Sequence, residues 1–229
     1  MLKKNWQKIF KGLPFISFVL IVLAAFFSIV FAPEEKGQGM VQKIFYFHVS
    51  SAFAMYAGFL LSGLFAVLYV WKRKNLWDVC SHAGAAVGLL FCSMVLVTGP
   101  IWAKPIWGAW WTWDPRLTTT LLIWLVFFAT ILLRRFYGMD ERGKIYAAIL
   151  TLFGILDIPL IVFAVKLWRG IHPAVLGKKD NMPWEMKTAL FVTMFAILVL
   201  FSVIYWLYVR LLLVEDKMHV LNHHLEERE

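Results

Sequence analysis

Six runs of apolar residues, each long enough to cross a bilayer, decide what this chain can fold into. A hydrocarbon core of about 30 Å needs about 20 apolar residues as a helix. In lipid, only helices and closed barrels satisfy every backbone N–H and C=O group internally. The runs fall at 13–32, 44–71, 79–100, 117–137, 144–167 and 186–213, well beyond the roughly 10 residues of a barrel strand. They predict an all-α integral membrane protein, a single domain over 1–229 built as a bundle of six transmembrane helices. The 229 residues are 61% hydrophobic with a mean hydropathy of +0.72, beyond the range of a soluble domain.

The first run follows Lys3, Lys4, Lys8 and Lys11 and ends in Val30-Phe31-Ala32, which resembles a signal-peptidase site. It is longer than a signal core of about 7–15 residues, so it reads as an uncleaved first helix. In the second run Ser50, Ala54, Gly58, Ser62 and Ala66 recur every four residues, and Gly84 and Gly88 mark the third. Such small-residue rows let neighbouring backbones come close.

Six spans alternate sides, so the connections after the first, third and fifth share one face of the membrane. The basic residues orient that face. Fourteen of the 23 Lys and Arg lie at the opposite side and nine at this one, which makes the opposite side cytoplasmic by the positive-inside rule. Both termini and the charged tail 214–229 are then cytoplasmic, and the connection 100–116 is external. The net charge of +9 sits on short connections, where membrane orientation accounts for it, so nucleic acid is not an expected partner and membrane lipid is. Cys80 and Cys92 form no C-x-x-C and read as packing residues.

The external connection contains W-G-A-W-W-T-W-D-P-R, Trp107 to Arg116, with four tryptophans in seven residues. Two uses fit this stretch. One is an interfacial aromatic belt, with Asp114 as N-cap and Pro115 at the first position of the next helix. The other is a shelf for a flat conjugated ligand. There Trp107, Trp110, Trp111 and Trp113 offer indole faces, and Arg116 meets an acidic edge. Composition leaves both open.

Two histidines share that face: His48, in K-I-F-Y-F-H, and His172, in R-G-I-H-P. Imidazole is a common axial ligand of haem iron, so His48 and His172 are candidate iron ligands, and Lys43, Arg116 or Arg169 candidate partners of the propionates. There is no C-x-x-C-H, so any haem is held without thioether bonds. Two histidines without a nearby external Cys or third His make a poor zinc site. His82 reads as structural, and His219, His223 and His224 as a solvated tail. Inside the fifth run, Asp157-Ile158-Pro159 is out of place. Pro159 kinks a helix by leaving the Ile155 carbonyl without its partner, and Asp157 either accepts a bond from a neighbouring helix or serves function directly. No P-loop, dinucleotide fingerprint or hydrolase triad context is present, and no catalytic nucleophile is evident.

The F-Y-F-H of the second span, W-G-A-W-W-T-W-D-P-R-L-T, the D-I-P of the fifth and the H-P after it occur in one order. Together they resemble the tryptophan-rich (WWD) haem-handling proteins of cytochrome c biogenesis. The six-span length resembles the CcmC family, haem exporter protein C. That resemblance implies haem b held non-covalently at the periplasmic face of the bacterial inner membrane, with His48 and His172 as the iron ligands. It implies transfer to the periplasmic haem chaperone CcmE, whose own histidine bonds a haem vinyl carbon. It also implies the small partner CcmD and the ABC transporter subunits CcmA and CcmB. Trp107, Trp110, Trp111, Trp113 and Asp114 match the signature, and Arg116 follows it. Ala109, Pro115 and Lys43 depart from threonine, alanine and arginine in the family pattern. A membrane b-type cytochrome and a haem or other small-molecule permease subunit are the alternatives.

Overall fold

A computed structural model describes the backbone of residues 2–137, 140–168, 170, 172 and 182–226, and their side chains apart from 2–11, 165–167, 219, 220 and 222–224. The helices are α1 (Leu2–Phe26), α2 (Ile44–Lys72), α3 (Asn75–Trp107), α4 (Pro115–Tyr137), α5 (Glu141–Ile155), α6 (Asp157–Trp168) and α7 (Trp184–Glu226). Six segments are long and apolar enough to span: Gly12–Phe31, Met40–Lys72, Asn75–Trp107, Pro115–Tyr137, Glu141–Ala164 and Trp184–Met218. The protein is thus an all-α, multi-pass membrane protein, and the fifth span is made of α5 and α6 in series.

The tightest packing is α2 on α3, where the small-residue rows meet. A Cβ at Gly58 would lie 2.5 Å from the Gly88 Cα, and one at Gly84 would lie 2.8 Å from the Ser62 nitrogen. With the backbones this close, Ser62 Oγ donates to the Ser81 carbonyl (2.8 Å) and Ser81 Oγ to the Ser62 carbonyl (2.9 Å). Lipid removes the hydrophobic drive for helices to associate, so close dispersion contact and buried hydrogen bonds take its place. Phe59 of α2 stacks on Phe127 of α4 with centroids 3.8 Å apart, beside Gly154 of α5. Met55, Phe91, Ile123, Ile161 and Phe201 complete this core, with Cys92 buried within it as a free thiol. α1 lies along α7, and in the π-helical turn Phe27–Phe31 that follows α1, Ser28 makes a 2.7 Å hydroxyl contact with Thr193 of α7.

Two spans depart from those expected of the sequence near the site, and α7 also runs on past residue 213, through the charged stretch, to Glu226. α3 continues past Pro100 and Pro105 to Trp107, so Trp107 belongs to a helix end. Proline costs one bond to the carbonyl four residues back, and long flanking turns keep the helix going. The fifth span is interrupted rather than merely kinked. Leu156 breaks it, and Asp157 opens α6. Pro159 then occupies the first turn of α6, where backbone N–H groups have no intrahelical acceptor and a missing one costs nothing. Asp157 is buried, and neither carboxylate oxygen has a well-aligned partner among the described residues.

Candidate functional site

At the end of the bundle where α2 begins and α3 ends, the helices enclose an apolar cavity of about 500 Å³. Its size falls in the range of about 300–1,000 Å³ typical of small-molecule sites. His48 and Tyr56 line it from α2, Trp102, Ala103 and Trp107 from α3, Arg116 and Thr120 from α4, and Ile161 and Phe163 from α6; Trp111 and His172 come from the connections. Residues 124 positions apart in sequence therefore face one space.

The local folding that aims these side chains follows from their sequence. Gly108 (φ 75°) ends α3 in the left-handed conformation, with its N–H bonded to the Lys104 carbonyl at 3.0 Å. Trp113 also has positive φ, 31°, a conformation that a bulky residue adopts at a cost. Asp114 is the N-cap of α4: its Oδ1 accepts from the Arg116 N–H (2.9 Å) and its carbonyl from the Thr118 N–H (2.9 Å). Pro115 is the first helical residue. The other Asp114 oxygen, Oδ2, accepts a long contact (3.4 Å) from the His172 N–H, and a side chain at Gly170 would run into this carboxylate. Asp114 thus ties the segment carrying His172 to the start of α4.

His48, in the second turn of α2, is 8% exposed, with Nδ1 2.9 Å from Thr98 Oγ1 and its ring in a T-shaped contact with Trp102, centroids 5.8 Å apart. Trp102 in turn donates through Nε1 to Gln38 Oε1 at 2.9 Å. Gln38 is presented by a turn in which the Glu35 carboxylate accepts from the N–H groups of Gly37 and Gln38. His172 packs edge-on to Trp107 at 6.3 Å, and its Nδ1 lies 3.5 Å from Arg116 Nη1. The Arg116 guanidinium also reaches the carbonyls of Ile161 and Val162, both at 3.3 Å.

Of the residues that sequence singles out, His48, His172, Trp107, Trp111 and Arg116 share the cavity. Trp110 and Trp113 are 58% and 73% exposed and do not line it, although Trp113 packs edge-on to Trp111 at 5.9 Å. Lys43 donates its ammonium to the Ile29 carbonyl instead. Asp114 lies beneath the site as cap and tether, Asp157 and Pro159 lie outside the lining, and Arg169 lies outside the described residues. Trp102, Gln38 and Tyr56 also line the cavity, and Thr98 stands beside it, although the sequence marks none of them as a ligand contact. Trp102 alone had a signal, standing five residues before the cluster.

The donor set suits a flat, largely apolar ligand with acidic substituents. Two imidazoles and one guanidinium project into aromatic walls, and the buried Trp111 indole N–H has no hydrogen-bond partner among the described residues. An orphaned buried donor is costly and calls for an acceptor from elsewhere.

The family model described as Heme exporter protein C (CcmC) matches residues 2–224. Heme exporter protein C of Bradyrhizobium diazoefficiens is 34% identical over 163 residues, covering 70% of this chain and 62% of that protein. The chain therefore spans somewhat under two thirds of that relative's length. Heme exporter protein C of Escherichia coli K12 is 30% identical over 190 residues, 80% of this chain and 75% of the relative. That of Haemophilus influenzae is 30% identical over 172 residues, 74% and 69% respectively. With a family match over residues 2–224 and a relative 30% identical across 80% of its length, this chain belongs to the CcmC, or heme exporter protein C, family.

Proposed function

We propose that this protein binds haem b non-covalently in the cavity, at the periplasmic face of the bacterial inner membrane, and presents it to the haem chaperone CcmE during cytochrome c biogenesis. The observation that carries this reading is the convergence of His48, His172, Trp107, Trp111 and Arg116 on one apolar space of about 500 Å³. The relatives' printed name, heme exporter protein C, supports haem as the cargo. In the cavity His48 and His172 supply imidazole to the iron, and the indole rings and Phe163 cover the macrocycle and exclude water. Arg116 and the Trp111 N–H meet the propionates. Asp114 keeps His172 in reach through the capped start of α4. Bound haem would supply the vinyl carbon to which the chaperone's own histidine becomes linked, and this chain would contribute position. CcmD, CcmA and CcmB are the further partners in this reading, the last two supplying ATP hydrolysis.

The absorption spectrum of the detergent-purified protein tests the reading, with wild type beside His48→Ala and His172→Ala. A Soret band in wild type that shifts or disappears in both variants is expected. Wild type that neither copurifies with haem nor takes it up when added would remove the claim.

A further inference from the structure

The hydrogen bond between α2 and α3 at His48 carries more information than its length. The Thr98 hydroxyl has one proton, and the Met94 carbonyl lies 2.7 Å from Oγ1, one helical turn back; two oxygens this close repel unless that proton lies between them, and the Val95 carbonyl is farther, at 3.5 Å. Oγ1 therefore spends its proton on its own helix and has only lone pairs left for His48. The proton between His48 Nδ1 and Thr98 Oγ1, 2.9 Å apart, must then sit on Nδ1. In a neutral imidazole this leaves Nε2 as a lone pair. Nε2 has no hydrogen-bond partner among the described residues, and His48 lines the cavity.

Ring orientation is fixed by the same neighbourhood. The His48 and Trp102 ring centroids lie 5.8 Å apart with the planes 67° to one another, and a Cβ at Gly99 would come within 3.4 Å of His48 Cε1. His172 is held by different chemistry. Its Nδ1 faces the Arg116 guanidinium, an obligate donor that places the imidazole proton elsewhere. The two histidines are thus not equivalent before a ligand arrives.

We infer that Thr98 is a positioning residue, holding His48 as the Nδ1–H tautomer with its Nε2 lone pair aimed for the haem iron, so that His48 is the preset ligand of the pair. This rests on the haem reading above and adds to it the residue that prepares one ligand. An imidazole that donates from its second nitrogen is also a more basic ligand, which favours the ferric state.

The test uses the full-length protein in detergent with Thr98→Val, which keeps the shape and removes the acceptor, and Thr98→Ser, which keeps the hydroxyl. In the haem-free protein, nitrogen-15 NMR of the histidine rings, with His48 assigned by comparison with His48→Gln, should show Nδ1–H for wild type and Thr98→Ser and a mixture for Thr98→Val. On haem titration, Thr98→Val should bind about 10- to 100-fold more weakly, with the bound haem at a more positive potential, and Thr98→Ser should restore both. An Nε2–H signal at His48 in wild type would overturn the inference, whether or not Thr98→Val folds. So would Thr98→Val with wild-type affinity and potential. Wild type that takes up no haem at all fails the binding reading itself, and this claim with it, an outcome distinct from a haem-binding protein indifferent to Thr98.

Discussion

Trp107 and Trp111 border the cavity, whereas Trp110 and Trp113 stand at the surface, although all four share seven residues of sequence. The division follows from backbone shape: Trp107 closes a helix, Gly108 turns the chain, and the positive φ of Trp113 sets its ring outward of Trp111. Trp107→Ala or Trp111→Ala should weaken haem binding about tenfold, the equivalent of about 1.4 kcal/mol for one aromatic contact. Trp110→Ala and Trp113→Ala should stay within about threefold, because substitutions away from a contact usually change energies by about 0.5 kcal/mol or less. A titration followed at the Soret band separates the pairs. Equal losses in all four would mean that the ligand lies across the outer surface of the connection. Sequence points to all four equally, since composition carries no information on which way an indole faces. It does show that Asp114 and Pro115 start a helix, because Asp-Pro has only local chemistry to satisfy.

The site stands on the α2–α3 seam, which brings His48 within reach of Thr98 across 50 positions of sequence. Four-residue spacing of small side chains is visible in one dimension, and it foretells close approach. Which partner it approaches is set by shape: Gly58 meets Gly88 and Ser62 meets Ser81. Thr98 was illegible for that reason, being one threonine on an apolar helix until the seam fixes its neighbour. The interruption at Leu156 is another case, since Asp157-Ile158-Pro159 marks trouble in the helix without saying on which side of the proline it ends. Gly58→Ala tests the seam. The added methyl would meet backbone at 2.5 Å, where no side chain can move aside, so the helices must separate. We expect a loss of about 1–3 kcal/mol, the usual cost of overpacking a tight interface, read as a lower midpoint of thermal unfolding in detergent. Haem affinity should fall with it, because α2 and α3 each supply a wall of the cavity. An unchanged midpoint would mean that the seam is looser than its geometry.

Across the whole molecule, one prediction decides where the site works. The cavity opens at the end of the bundle shared by the connection 33–43, the Trp-rich stretch and His172, while Arg73 and the salt-bridged pair Arg134–Asp78 mark the other end. The number and order of the spans follow from hydropathy, but a bundle is equally well packed either way up. Only the charges on its connections choose, and here the margin is fourteen to nine. Single cysteines at exposed positions, in a background with Cys80 and Cys92 replaced by serine, read the choice directly. Lys36→Cys and Lys104→Cys should react with a membrane-impermeant maleimide in intact cells. Arg73→Cys and Arg142→Cys should react only after permeabilisation. The reverse pattern would put the cavity on the cytoplasmic side, where a periplasmic chaperone cannot reach it. It would leave the haem-binding geometry intact while removing the proposed transfer, so topology and ligand binding can fail separately.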